Sequence, residues 1–241
     1  MKNNKPGLSS RIIVTGSSSG IGFAVTNNLL SSGYKVIGVS RSGDAGQFEN
    51  ENYENVSLDL ANIEALPEQV NRLARQYPDV HSIVFCAGRG QFGCIEEFSY
   101  AQIKSLIDLN FLSQAYLAKA FVPQFKKRNS GNLIFIGSES ALSGSRMGAI
   151  YCASKFAVRG MAQALRDECS RNNVRVTIIN PGMVNSAFFD GLDFVPGEDP
   201  ENYLQPEDVA QAVAYILESR EFINLDEINL SPLKYVVRKK K

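Results

Sequence analysis

The chain has 241 residues, 44% of them hydrophobic and 21% charged, and its 25 basic side chains balance 25 acidic ones. The length allows one large domain or two small ones, and the composition suits a soluble globular protein and excludes the one-signed field that a nucleic-acid or membrane-surface partner calls for. No run reaches the roughly 18 apolar residues of a membrane span, the opening MKNNKPGLSS lacks an export signal, and four cysteines without a CxxC pair predict reduced thiols in the cytoplasm.

RIIVTG at 11–16 reads as a short buried strand ending in glycine, and SGIGFAVTNNLLSSG has helical periodicity up to Gly33. KVIGVS at 35–40 is a second strand and VSLDL at 56–60 a third, followed by a helix over 63–76. SIVFCAG at 82–88 repeats the strand-then-glycine pattern, a long helix covers about 100–127, and GNLIFIGS at 131–138 returns to strand. A helix from about 151 to 171, the strand RVTIINPG at 175–182, the helix PEDVAQAVAYILES and a last strand EINLSP complete the series. Strand and helix alternate without a linker, which predicts one domain with a mostly parallel sheet covered on both faces. Ligands of such sheets sit outside the C-terminal ends of the strands. The final VVRKKK is a basic tail expected to fray rather than dock.

Between the first strand and first helix stands TGSSSGIG, in which Gly16, Ser18, Ser19, Gly20, Ile21 and Gly22 form a glycine-rich turn at a helix N terminus. Glycines there permit a tight turn and close approach of the backbone to a pyrophosphate, which points to a dinucleotide. No Lys-Ser or Lys-Thr follows the last glycine, so this is not a nucleotide-hydrolase phosphate loop. An acidic residue about 20 positions on holds the ribose of NAD, but the second strand ends in Val39-Ser40-Arg41-Ser42. Ser40 and Arg41 suit a 2′-phosphate, since a guanidinium makes a charge-assisted fork to it, and NADP(H) is favoured over NAD(H). Asp59, followed by Leu60, either accepts a bond from the adenine amine or caps its own segment.

Tyr151 and Lys155 lie four apart, so a helix places them on one face, where an ammonium would favour the phenolate. Taken together, TGSSSGIG at 15–22, DLN at 108–110, GSESA at 137–141, YCASK at 151–155 and NPGMVNS at 180–186 resemble the classical branch of the short-chain dehydrogenase/reductase family. The resemblance covers roughly residues 10–231. It implies a single-domain, Rossmann-like three-layer α/β sandwich over 1–241 with a mostly parallel, doubly wound seven-stranded sheet, and a substrate-loop region at about 184–204 before the basic tail at 238–241.

By the same resemblance Tyr151 is the acid in carbonyl reduction and the base in alcohol oxidation, while Lys155 holds the nicotinamide ribose and lowers the tyrosine pKa. Ser138, 13 residues before the tyrosine, donates to the substrate oxygen. Asn110 holds a helix distortion and a water leading to Lys155. Pro181 and Gly182 flank the nicotinamide, Val184 and Ser186 meet its carboxamide, and Ala87 and Gly88 pass close to the adenosine ribose. The implied activity is NADPH-dependent reduction of a ketone or aldehyde. An NAD-linked alcohol or hydroxysteroid dehydrogenase is the second reading, and a dinucleotide-sensing regulator is the non-enzyme one.

One segment departs from the family pattern. Phe85-Cys86-Ala87-Gly88 stands where Asn-Asn-Ala-Gly is usual, which removes side-chain bonds between strand ends and leaves Cys86 as a small apolar filler beside the cofactor. Phe188, Phe189, Leu192 and Phe194 either line an apolar pocket or pack a lid onto the domain. Arg146 either meets an acidic substrate group or stands exposed on a loop. The single histidine, His81, leaves no histidine triad or zinc set, so no metal is expected and a surface or structural role is. The long helices at 100–127 and 151–171 resemble those the family pairs in a homodimer, and the C terminus lacks the glycine-rich ending of family tetramers. The remaining partner is a small carbonyl or alcohol substrate.

Overall fold

The computed structural model describes residues 10–41 and 48–240, so Ser42 and Lys241 lie outside the described residues. β1 (Arg11–Thr15), α1 (Gly20–Ser31), β2 (Lys35–Ser40) and β3 (Tyr53–Ser57) open the chain. α2 (Leu66–Gln76), β4 (Val80–Phe85), α3 (Tyr100–Ile107), α4 (Ser113–Arg128) and β5 (Gly131–Ile136) follow. α5 (Ala149–Ser170), β6 (Val174–Pro181), β7 (Phe194–Pro196), α6 (Pro206–Glu218), β8 (Glu227–Leu230) and β9 (Val237–Lys239) complete it.

Seven strands form one sheet in the order β3-β2-β1-β4-β5-β6-β8, every neighbouring pair parallel. Both faces are covered, so the strands are continuous apolar runs whose residues alternate between two cores. Ile13, Ile83, Phe85, Leu133 and Phe135 point to a core with Val70 of α2, Phe121 of α4 and Val158 of α5. Ile12, Val14, Val84, Ile134 and Ile136 point to the other, with Leu29 of α1 and Val213 of α6. The chain winds from β1 out to β3, then crosses to β4 on the other side of β1. The C-terminal ends of β1 and β4 therefore diverge at a topological switch point, where a ligand can enter.

The structure moves three of the expected elements. β3 spans 53–57 rather than 56–60, since the register with β2 runs from Val36↔Tyr53 to Ser40↔Ser57. Leu58 and Leu60 are buried by packing after the strand has ended. The long helix over 100–127 is interrupted by a π-turn at Asp108–Leu112. The basic tail does not fray: Val237–Lys239 pairs antiparallel with Phe194–Pro196.

At the N-terminal end of the sheet, where no ligand is expected, lies a buried polar network. His81, 7% exposed, meets Ser82 Oγ at 3.1 Å and Ser130 Oγ at 3.0 Å. Asn132 donates to Ser82 Oγ at 2.8 Å and accepts from Arg175 Nε at 2.6 Å. Arg175 also donates to Ser219 Oγ at 2.8 Å. Burial, with Arg128 and Arg175 nearby, pushes the His81 pKa down to about 4. Of the two roles expected for His81, the structural one is what the fold uses.

Candidate active site

The glycine turn wraps the C-terminal end of β1. Gly16 has φ +67°, and a Cβ there would lie 3.1 Å from Ala87 Cα, so the turn touches the end of β4. At Gly22 a Cβ would lie 2.1 Å from the Gly16 carbonyl oxygen, a clash with backbone that cannot be relieved by a rotamer. These contacts seat the first turn of α1 against the strand end. No side chain caps that helix, and its first amides have no intrahelical acceptors, so Gly20, Ile21 and Gly22 present N–H groups at the switch point. Gly20 also faces Ser186, whose Cβ would be 3.6 Å from an added Cβ. Ala87 N–H donates to Thr15 Oγ1 at 3.1 Å, which ties the two strand ends together. Ser40, the last residue of β2, is buried, and Arg41 just beyond it is exposed. Of the two roles open for Asp59, one is visible directly: its Oδ1 accepts from Ala61 N–H at 3.0 Å.

Ser138, Tyr151 and Lys155 converge beside this rim. Tyr151 is 5% exposed and Lys155 6% exposed. Ser138 sits beside the Tyr151 hydroxyl, and its own oxygen accepts from Ser140 N–H at 3.1 Å. Burial raises the Tyr151 pKa to about 12, with Ser138 pulling the other way. This differs from the expectation that Lys155 depresses it. Lys155 Nζ lies 5.9 Å from the Tyr151 ring centroid and donates instead to the Ile136 carbonyl at 3.1 Å. Burial lowers the pKa of Lys155 to about 8. A Cβ at Gly88 would meet Lys155 Nζ at 3.8 Å and Asn110 Oδ1 at 3.3 Å, so the end of β4 runs directly past both.

Asn110, on the π-turn, is buried and bonded on every side. Its Oδ1 accepts from Arg89 N–H at 2.9 Å, and its Nδ2 donates to the Arg89 carbonyl at 3.0 Å and to Ser154 Oγ at 3.1 Å. Ser154 Oγ in turn donates to the Tyr151 carbonyl at 2.7 Å. The altered Phe85-Cys86 pair is accommodated differently on the two faces. Phe85 stacks on Phe135 with ring centroids 4.4 Å apart. The Cys86 thiol is pushed up to about 12 by burial, with Lys155 pulling the other way, so it is a neutral filler. Gln114 contributes side-chain bonds to this rim. Its Nε2 donates to the Asn110 carbonyl at 2.9 Å and the Ala87 carbonyl at 3.4 Å.

Past β6, Gly182 N–H donates to the Leu230 carbonyl at 2.7 Å, fixing Pro181 and Gly182 at the sheet edge. Val184 is buried and bridges to Leu204. Ser186 caps a 3-10 turn, Ala187–Phe189. Five aromatic rings then close a circuit that includes Tyr151. Phe92 lies 5.0 Å from Tyr151 and Phe188 5.9 Å from it. Phe188–Phe189, Phe189–Phe194 and Phe194–Phe92 are 5.2, 5.8 and 5.1 Å apart. A cleft of about 440 Å³ lined by Arg89, Phe92, Leu192 and Asp193 opens outside this circuit. Arg146 stands exposed on the loop before α5. Among the described residues no His, Cys, Asp and Glu side chains group as a metal site, and no helix is long and apolar enough to cross a membrane.

The family model for short chain dehydrogenases matches residues 10–193. The chain belongs to the short-chain dehydrogenase family. It is an oxidoreductase of that type, acting by nicotinamide-dependent hydride transfer. An uncharacterised oxidoreductase of Staphylococcus aureus (strain MRSA252) is 30% identical over 226 residues, covering 92% of this chain and 96% of that protein. Among solved structures, an alcohol dehydrogenase from the archaeon Thermococcus sibiricus complexed with 5-hydroxy-NADP is 26% identical, with a TM-score of 0.82 over 97% of this chain and 100% of that one. The closed form of a serine dehydrogenase complexed with NADP+ is 28% identical, with a TM-score of 0.81 over 91% of this chain and 94% of that one.

In this short-chain dehydrogenase the sequence-predicted residues Gly16, Gly22, Ala87, Gly88, Asn110, Ser138, Tyr151 and Lys155 gather around the ends of β1, β4 and β5. Ser186 meets them at Gly20. Ser154, Gln114, Phe92 and Glu139 were not singled out from the sequence. Ser154 had a signal, since it sits inside the Tyr–Lys motif. Gln114, Phe92 and Glu139 had none, because their partners are distant in the chain.

Proposed function

We propose that this short-chain dehydrogenase is an NADPH-dependent carbonyl reductase in which Tyr151 gives the proton. The observation that carries this reading is the Tyr151 hydroxyl, buried and kept protonated with Ser138 beside it at the C-terminal end of the sheet. The rim fits a dinucleotide: Gly16 and Gly22 leave only backbone against the strand ends, and α1 offers uncapped amides to a pyrophosphate. Arg41, exposed beyond β2, suits the 2′-phosphate. The NADP forms bound to the two solved relatives support NADP(H) over NAD(H). When bound, the reduced nicotinamide supplies the hydride. Tyr151 donates its proton to the carbonyl oxygen as negative charge builds there, and Ser138 donates a second hydrogen bond to the same oxygen. Lys155, held by Ile136, is placed to bond the nicotinamide ribose and to return a proton toward Tyr151. Asn110 fixes α5 through Ser154. Reversal would oxidise a secondary or primary alcohol, with Tyr151 as base.

The same family pattern supports a homodimer through α4 and α5. Phe156 is exposed on α5, and Phe111, Tyr116, Met161 and Leu165 are only partly covered. Light scattering after gel filtration distinguishes dimer from tetramer and monomer. The deciding test of function is separate titration of NADPH and NADH, followed by nicotinamide fluorescence. Tighter NADPH binding that Arg41→Ala weakens is the expected result. Equal or tighter NADH binding would move the chain to the NAD-linked alcohol or hydroxysteroid dehydrogenases. Binding without turnover of any carbonyl would make it a dinucleotide sensor.

A further inference from the structure

After β8 the chain does not stop at the sheet edge. Residues 234–240 run back along the substrate loop and bond it between Phe189 and Glu201. Lys234 pairs with Glu201 through both side chain and backbone. Gly197 N–H donates to the Val236 carbonyl at 2.9 Å, and Lys240 N–H to the Asp193 carbonyl at 2.8 Å. Arg238 pairs with Glu198. Lys240 Nζ donates to the carbonyls of Phe189 and Asp190, closing the 3-10 turn that carries Phe188. Tyr235 reaches the opposite side of the site, where its hydroxyl donates to Glu139, the residue after Ser138.

We propose that this C-terminal strap is a specificity-determining part of the substrate site, holding the aromatic circuit against Tyr151 so that it selects carbonyl compounds with a flat apolar group beside the carbonyl. The inference rests on the carbonyl-reductase reading above. A two-stranded pair of three residues has little stability of its own, and the anchors on both sides of β9 are what keep β7 in place. Phe194 lies on β7, and Lys240 bonds the backbone carbonyl of Phe189, so the strap holds the backbone that carries two of the five rings. Those two hold Phe188 and Phe92 over Tyr151. A carbonyl oxygen bonded to Tyr151 and Ser138 would therefore sit next to a phenol ring that packs, tilted, against Phe92 and Phe188. Flat rings gain offset or edge-on contacts there that a flexible aliphatic chain does not. Lys234, Tyr235, Arg238 and Lys240 act as positioning residues through the rings.

The test compares the full chain with one ending at Leu233, using NADPH with benzaldehyde and with butanal. NADPH affinity is measured separately by fluorescence. The full chain is expected to favour benzaldehyde in kcat/KM by roughly tenfold. Truncation should reduce this preference to about threefold or less, mainly through the benzaldehyde KM, with NADPH affinity within about twofold. If the shortened chain does not fold, the double variant Arg238→Ala with Lys240→Ala is read in the same way, and the single conservative variant Arg238→Lys should keep the preference. A preference unchanged by loss of the strap overturns the proposal. So does a full chain that favours butanal, or one that binds NADPH and reduces neither aldehyde. A full chain that does not bind NADPH overturns the reading beneath it as well.

Discussion

The sheet carries a buried polar network at each end, and the two are built from similar materials. At the C-terminal end Lys155, Asn110, Ser138 and Tyr151 are buried, and burial shifts the lysine down to about 8 and the tyrosine up to about 12. At the N-terminal end His81, Asn132 and Arg175 are buried, and burial shifts the histidine down to about 4. By pKa alone both would qualify as functional. They differ in where their bonds go. Each His81 ring nitrogen faces a serine hydroxyl, and Asn132 accepts from Arg175, whose Nη2 is buried without a partner among the described residues. At the other end, the uncapped amides of α1 stand at the C-terminal ends of the strands, at the switch point. A perturbed pKa marks burial; helix amides left open at a switch point beside it mark a site.

Four experiments test this separation, and the first should have the largest effect. Tyr151→Phe keeps the ring circuit and removes only the proton donor, so carbonyl reduction should fall by on the order of 10²–10⁴-fold. NADPH affinity should be retained and the melting temperature should hardly move. A large loss of stability without loss of rate would reverse the roles assigned to the two ends.

The second experiment concerns acid. An unfolded histidine titrates near 6.5, whereas folded His81 titrates at about 4. Between those values the unfolded chain holds more protons, so stability is fully present above about pH 6.5 and is lost as pH falls towards 4. The loss attributable to His81 is on the order of 3 kcal/mol at the acid limit. Urea unfolding at pH 7 and pH 4.5 should show a steeper decline for the native chain than for His81→Gln. Equal slopes would mean that the network admits a charged imidazole.

Asn132→Leu comes third. It removes the acceptor of Arg175 Nε and a donor to Ser82, leaving a buried guanidinium with fewer partners. The expected cost is about 2 kcal/mol, read as a lowered melting temperature with unchanged NADPH affinity and unchanged kcat. A change in kcat would show that the two ends are coupled through β5.

Local spacing made part of this molecule legible. The glycine turn and the Tyr–Lys pair are patterns within one turn and one helix, and the alternating apolar runs name the strands of the sheet. What the sequence concealed depends on distant partners. Val56, Leu58 and Leu60 alternate as a strand would, yet only the register with β2 shows that pairing ends at Ser57. The family resemblance implies a helix distortion at Asn110, but the partners that the Asn110 side chain bonds there, Arg89 and Ser154, are far away in the chain. The terminal run of basic residues reads as a solvated tail, because its strand partner, Phe194–Pro196, lies about forty residues earlier.

Gln114 should give the smallest effect and the most specific information about the altered strand end. Its amide bridges the Ala87 and Asn110 carbonyls, while its own Oε1 is buried with no partner among the described residues. Gln114→Leu therefore removes two donor contacts and one unsatisfied acceptor together. The opposing changes should leave a net cost of about 1 kcal/mol in urea unfolding. If the bridge only fills space, NADPH affinity will be unchanged. If it holds the end of β4 against the π-turn in place of the missing asparagine bonds, affinity should weaken by about three- to tenfold, because Ala87 and Gly88 would lose their fixed approach to the cofactor rim. Gln114→Glu separates these outcomes further, since it keeps the shape but removes the donor at neutral pH and brings a carboxylate beside two carbonyl oxygens. It should weaken binding more than Gln114→Leu does, and the reverse order would leave Gln114 with a packing role alone.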